Sequence, residues 1–267
     1  MTYVHGYTNR ETQRLREQSL ILEELLHAGT HYLPGSRVLE IGCGVGAQTS
    51  ILARRNPEIQ LTSIDISEAS VKAAAMAVAE MGFENVTVRQ ADIFDHGFDP
   101  GSFDHVFICF VLEHVSEPVR ALEIARDLLK PDGSITVIEG DHGSGFWTPE
   151  TESSRKAWNG LIISQQHLGH DPNIGRRLYP LMQESGFDMK EVTPRPVYAD
   201  QSNPVLLDGV VNQIISPMVF SAEPQVLEEK LVDPAHWKAG LEDISKVASV
   251  EDGSFFYTWF KGVGRKH

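Results

Sequence analysis

The run Val38-Leu39-Glu40-Ile41 breaks directly into Gly42-Cys43-Gly44-Val45-Gly46, and a helix-compatible stretch follows from Ala47 to Arg55. A strand, a glycine turn and a helix in immediate succession constrain the fold more than any other feature, because such a unit buries its apolar face by packing helix back onto strand. The same alternation then repeats. Gln60 to Ile64 reads as a second strand ending in Asp65, and Ser67 is placed to cap an alanine-rich helix that stops at Gly82. Val86 to Gln90 is a third strand, followed by Asp92, and Phe103 to Cys109 a fourth. Pro118 opens a helix to Lys130, Pro131-Asp132-Gly133 turns the chain, and Ser134 to Glu139 gives a fifth strand. Five strands joined by four helical crossovers predict a parallel sheet with right-handed connections and helices on both faces.

After Glu139 the rhythm changes. Helices are expected over Pro149 to His167 and Gly175 to Glu184, a strand over Phe187 to Val192, a helical stretch over Asn203 to Ala248, and a closing strand over Phe255 to Phe260. The expected fold is therefore α/β and doubly wound: a mostly parallel seven-stranded sheet with an antiparallel last strand, an N-terminal helical lid and helical cap insertions. The division expected is one domain, with a lid at 1–30, a core at 31–145, cap segments at 146–186 and 194–253, and last strands at 187–193 and 254–261. Thr8-x-x-Glu11 resembles a capping box at the start of the lid helix.

The 267-residue chain carries a formal charge of −14, which repels a phosphate backbone, and no basic patch offsets it. Nucleic acid is not an expected partner. No stretch reads as long enough to span a bilayer, and the segment before the first strand reads as a polar helix rather than a signal peptide. Only Cys43 and Cys109 are present, so no disulfide framework forms and a cytoplasmic setting is expected. The 11 His residues show no metal-type spacing, and no metal is expected.

Open α/β sheets bind ligands beyond the carboxyl ends of their strands. Gly42, Gly44 and Gly46 let backbone approach a ligand without a Cβ in the way. Gly42-x-Gly44-x-x-Ala47 also satisfies the nicotinamide-dinucleotide fingerprint. Glu40 tips the balance, since a carboxylate there suits a cationic, amine-bearing ligand and crowds a pyrophosphate. Asp65 is placed to take both ribose hydroxyls, and Asp92 to accept an adenine amino group with Ile93 against the ring.

These segments resemble the class I, Rossmann-like S-adenosylmethionine-dependent methyltransferases. Val38 to Gly44 resembles their first motif, Ser63-Ile64-Asp65-Ile66-Ser67 the second, and Gln90-Ala91-Asp92-Ile93 the adenine motif. Phe103-Asp104-His105-Val106 with Phe110 to Val115 resembles the fourth strand and its loop, and Leu128 to Gly133 the turn before the fifth. The resemblance implies S-adenosylmethionine as cofactor, held by Glu40, Gly42, Cys43, Gly44, Asp65, Ile66, Asp92, Ile93, Phe110 and Val111. Tyr7, in the lid segment, is placed to bond the methionine carboxylate or the substrate. The base-methylating members carry an Asn- or Asp-Pro-Pro-aromatic loop where this chain reads Cys109-Phe110-Val111-Leu112, which points to a small-molecule substrate.

A sulfonium methyl is already activated, so the protein's task is alignment and exclusion of water, with positioning worth on the order of 7–11 kcal/mol. For a nucleophile bearing a proton, His142 in Glu139-Gly140-Asp141-His142-Gly143 is the leading base, oriented by Asp141, with His114 second. Trp147, Trp158, Arg176 and Tyr179, with Asp141 and His142, are expected to line the substrate site. The pattern around Tyr3-x-x-Gly6-Tyr7 and Glu139 to Gly143 resembles bacterial and fungal enzymes of secondary metabolism, some of which methylate indole C3. That resemblance implies carbon methylation of a tryptophan-derived indole, with nitrogen or oxygen methylation as alternatives, by a monomer or homodimer. A non-catalytic cofactor-binding module is the alternative of another class.

Overall fold

Seven strands lie in one sheet in the order β3-β2-β1-β4-β5-β7-β6 in the computed structural model, which describes residues 21–267. The lid calls Thr8, Glu11 and Tyr7 fall outside the described residues. A helix, α1, ends at residue 27, and the chain then runs through β1 (Arg37–Ile41), α2 (Ala47–Arg55), β2 (Gln60–Asp65), α3 (Glu68–Glu80), β3 (Val86–Gln90), β4 (Phe103–Cys109) and α4 (Pro118–Leu128). There follow β5 (Leu129–Thr148), α5 (Glu152–His167), α6 (Leu178–Glu184), β6 (Asp188–Asp200), α7 (Pro204–Asp208), α8 (Ser216–Ser221), α9 (Glu223–Glu228), α10 (Pro234–Lys246) and β7 (Ser254–Arg265). β1 pairs in parallel with β2 and β4, β2 with β3, and β4 with β5. β7 is antiparallel to β5, for Lys266 exchanges hydrogen bonds with Asp132 and Gly133 while Thr258 N–H reaches Ser144 Oγ, farther along β5.

Local chemistry explains the boundaries. Gly46, at φ +81°, opens α2, and Ser67 Oγ accepts from Ser70 N–H to start α3. Pro118 sits in the first turn of α4, where its missing N–H costs nothing. The helix expected from Pro149 begins instead at Glu152, because Thr151 and Ser154 form a reciprocal capping box that defines its start. β5 runs on to Thr148 rather than ending at Glu139, which places Trp147, expected in a cap segment, on a strand.

Two further expectations are corrected. The connection from β3 to β4, residues 91–102, carries no helix, so three rather than four crossovers among the first five strands are helical. It consists of turns and an isolated bridge between Asp92 and Asp95. One stretch does have the length and apolar composition to cross a membrane: Pro204–Ser221 is continuous helix, with a π-helical stretch at Gly209–Ile215. Leu207, Val210, Val211, Ile214, Ile215 and Val219 from it are buried, as in a core helix.

The chain divides into two compact units. The sheet unit comprises Glu23–Gly140, Ile174–Arg195 and Trp259–His267. Its core sets Leu39, Ile41, Ile64, Val106, Ile108, Ile135 and Val137 against Leu122, Ala125 and Leu128 of α4 and Leu178, Leu181 and Met182 of α6. Residues 174–186, read from sequence as cap, thus belong with the sheet. The aromatic unit, among the described residues, comprises residues 21–22, Asp141–Asn173 and Pro196–Thr258, and α5 against α10 is its main packing.

That helix pair approaches closely through Gly240. A Cβ there would stand 2.3 Å from Ser153 O and 2.7 Å from Ala157 Cβ, backbone and short side chain that cannot swing away. Gly240→Ala is expected to lower stability by about 1–3 kcal/mol, measured by urea unfolding, through overpacking. An unchanged midpoint would show that α5 and α10 separate freely.

Candidate functional site

At the carboxyl end of β1 the chain needs a tight left-handed turn, and the three glycines divide the work. Gly42 has φ +76°, and a Cβ on it would lie 2.3 Å from Val111 Cγ2; one on Gly46 would lie 2.9 Å from Ala74 Cα. These two glycines permit internal packing. Gly44, at φ +52°, faces open space, with nothing within 4 Å of a Cβ. Its backbone is therefore the part a ligand reaches.

Asp65, at the end of β2, holds the turn in place. Its Oδ2 accepts from Gly44 N–H at 2.8 Å and its Oδ1 from Ser67 N–H at 2.9 Å. Burial raises its pKa, opposed by those backbone donors. Each carboxylate oxygen has a second lone pair, so the ribose role read from sequence remains geometrically open. Ile66 beside it is 47% exposed, an apolar surface at a strand end. Asp92 Oδ1 accepts from Phe94 N–H at 2.9 Å in a local turn, and Ile93 is buried behind it.

Glu40 is 2% exposed, and its Oε2 accepts from Thr49 Oγ1 and Ser63 Oγ, each at 2.6 Å. Burial pushes its pKa up to about 7, the two hydroxyls oppose the rise, and Asp65 adds to it. The carboxyl thus sits behind the glycine turn and braces α2 and β2, a role sequence reading did not give it. Cys43 and Cys109 are buried, and burial drives both thiols above their ordinary value, so neither is poised as a nucleophile.

The loop after β4 is fixed by a residue that sequence reading left out of the site. Glu139, in β5 and fully buried, accepts at Oε1 from Val111 N–H at 2.9 Å and Leu112 N–H at 2.7 Å. Burial raises its pKa, and the neighbouring Glu113 carboxylate raises it further. Phe110 takes a left-handed φ of 59°, and Val111 is turned onto Gly42. His114 Nε2 lies 3.1 Å from Glu113 Oε1. An acidic residue at the end of an apolar run was a readable signal at Glu139, as it was at Asp65.

In the aromatic unit, His142 is buried and held from several sides. Its Nδ1 lies 2.7 Å from Tyr257 Oη, its backbone N–H donates to Pro172 O, and its backbone O accepts from Trp158 Nε1 at 3.0 Å. The ring partner is therefore Tyr257, a residue noted from sequence only as part of a strand. Asp141 Oδ1 accepts from Gly143 N–H. Trp147 is buried, donates from Nε1 to Ser154 Oγ, stacks on Phe255 and lies under the Arg155 guanidinium. Trp147 and Trp158 are thus packed walls with their indole N–H groups already used. Arg176 and Tyr179 are exposed members of the sheet unit.

Among the described residues no group of three or more acidic, His or Cys side chains could hold a metal ion. The family described as "Methyltransferase domain" matches residues 33–186, more than half of the chain. This chain belongs to that family. It is similar to the ubiquinone biosynthesis O-methyltransferase of Xanthomonas campestris pv. campestris, 38% identical over 104 residues covering 39% of this chain and 42% of the relative. It also resembles an uncharacterized 37.1 kDa protein in transposon TN4556 of Streptomyces fradiae, 31% identical over 60% of this chain and 46% of the relative. The chain thus spans under half the length of these curated relatives.

Solved structures share the fold. Phosphoethanolamine N-methyltransferase 2 of Haemonchus contortus, in complex with S-adenosylhomocysteine, aligns with a TM-score of 0.60 at 16% identity, covering 100% of this chain and 61% of that one. The [4+2]-cyclase SpnF aligns with a TM-score of 0.56 at 21% identity, covering 94% and 81%. S-adenosylmethionine is the cofactor of this family, and the cradle fits it: open backbone at Gly44, a carboxylate at the end of β2 and an exposed apolar Ile66.

Asp65→Ala removes the tie on Gly44 and the ribose acceptor together. Calorimetry is expected to show S-adenosylhomocysteine binding weakened by about 1.5–3 kcal/mol, and unchanged affinity would take Asp65 out of the site. Glu40 supplies a second test. Its folded pKa, about 7, exceeds the ordinary carboxylate value, so its contribution to stability is full in acid and is lost as pH rises toward 7. Glu40→Gln keeps a carbonyl acceptor without the charge, so the variant should gain stability relative to wild type as pH is raised through that window. A difference independent of pH would show that Glu40 is not held protonated.

Proposed function

We propose that this chain is an S-adenosylmethionine-dependent methyltransferase acting on a small aromatic metabolite. The first candidate is carbon methylation at C3 of an indole in a tryptophan-derived compound of secondary metabolism; nitrogen and oxygen methylation are the alternatives. The observation that carries the reading is the buried Glu40 carboxyl directly behind the glycine turn. A diphosphate there would meet an acidic group where dinucleotide sites place bare N–H donors, whereas a sulfonium cofactor with an amine is compatible with it. Similarity to relatives named for ubiquinone O-methylation supports a small-molecule substrate and keeps oxygen among the acceptor atoms. Free Cys43 and Cys109 suit a reducing cytoplasm.

The cofactor supplies an electrophilic methyl group. The protein's residues do the rest: Asp65, the Gly42–Gly46 turn and Val111 hold the donor, and Trp147 and Trp158 are the aromatic candidates for contact with a flat substrate. His142 takes the proton that the nucleophile loses, and Tyr257 at Nδ1 orients the ring. Asp141 stands beside it in sequence, and Tyr7 and His114 are the further candidates for contact with the reacting groups. For an indole, attack from C3 leaves positive charge on the ring, which a neighbouring phenol oxygen or imidazole stabilises.

The test is transfer of labelled methyl from the cofactor to a pool of indole and phenolic metabolites. Label is expected in an aromatic product. Tight S-adenosylhomocysteine binding with no transfer would overturn the reading in favour of a cofactor-binding protein with other chemistry, as the shared fold with a [4+2]-cyclase allows. His142→Ala should lower turnover on the order of 10²–10⁴-fold while cofactor affinity is kept. Equal turnover would remove His142 as the base.

A further inference from the structure

Helix α5 presents two distinct faces to the interior of the aromatic unit. At 100° per residue, Ser153, Ala157 and Gly160 fall together, and they meet α10 through Gly240 and Trp237. Ser154, Trp158, Leu161 and Gln165 fall on the other face; Gln165 stands seven residues from Trp158, within about 20° of it and about 10 Å along the axis. This second face bears the aromatic cluster. Ser154 Oγ accepts from Trp147 Nε1, and Trp158 Nε1 donates to His142 O.

Gln165 breaks the pattern. It is fully buried, and neither Oε1 nor Nε2 of its side chain has a hydrogen-bond partner. Burying both ends of an amide without partners is costly, and leucine at this position would fill similar space without the penalty. An amide kept there serves a partner that arrives later. Water at a single end would not use its geometry, because donor and acceptor lie side by side in one plane.

We propose that Gln165 is a specificity-determining residue that reads a carboxamide or lactam on the aromatic substrate, Nε2 donating to the substrate carbonyl and Oε1 accepting from its N–H. A planar amide is the group that matches both ends at once. The inference rests on the small-aromatic reading and adds a polar handle to it.

The experiment uses the full chain saturated with S-adenosylhomocysteine and two probes, indole-3-acetamide and methyl indole-3-acetate, which lacks the N–H. Calorimetry is expected to show the amide bound at least tenfold more tightly than the ester. Gln165→Leu should erase that preference, keep cofactor affinity, and melt no lower than wild type in the absence of probes. A wild-type protein without the preference, or a variant that retains it, overturns the proposal. So does a lowered melting temperature in the variant, which would make the amide a structural group bonded through buried water. If neither probe binds while label transfer to another metabolite succeeds, the amide handle fails and the methyltransferase reading stands; if transfer fails too, both fail.

Discussion

Where parallel strands end, the backbone N–H groups of the loops that follow must find acceptors, and here the strand next in the sequence supplies them. Asp65 of β2 accepts from Gly44 in the loop after β1. Glu139 of β5 accepts from Val111 and Leu112 in the loop after β4. The backbone donors offset part of the cost of burying each acidic side chain, and each acidic side chain satisfies N–H groups of its loop, so the two are held together. The two loops then meet, with Val111 packed where any side chain at Gly42 would stand. The cradle is thus set by hydrogen-bond satisfaction at strand ends before any ligand is present.

Strands buried on both faces were the most legible part of the sequence. Arg37–Ile41 and Phe103–Cys109 have the bounds expected of them, because largely apolar runs between turn residues leave little alternative. β5 shows the limit. Beyond Glu139 it continues through Gly140-Asp141-His142-Gly143, polar and flexible by composition, and it stays extended because β7 lies antiparallel beside it. Pairing between residues more than a hundred positions apart leaves no local mark.

The same limit governs the site. Asp65 and Asp92 were readable because an acidic residue closing a strand is conspicuous, and the geometry leaves both available at the strand ends. Glu40 was readable as important, but its partners, Thr49 and Ser63, lie 9 and 23 residues away on other elements. Tyr257 looked like one more aromatic of a closing strand until its hydroxyl was found at His142. Residues 174–186 carry a helical pattern that reveals a buried face without revealing what buries it, which is why Arg176 and Tyr179 were assigned to the cap and lie in the sheet unit.

The aromatic unit follows the opposite rule from the cradle. Its large rings, Trp147, Trp158, Phe255 and Tyr257, are locked by stacking, and the polar atoms of both tryptophans are consumed internally. Rings packed this way hold one another by shape and dispersion, and the indole N–H groups are spent on the same walls. Few polar side chains stand within so apolar a setting: His142 beside Tyr257, and an amide on α5 whose side-chain atoms the fold leaves without hydrogen-bond partners.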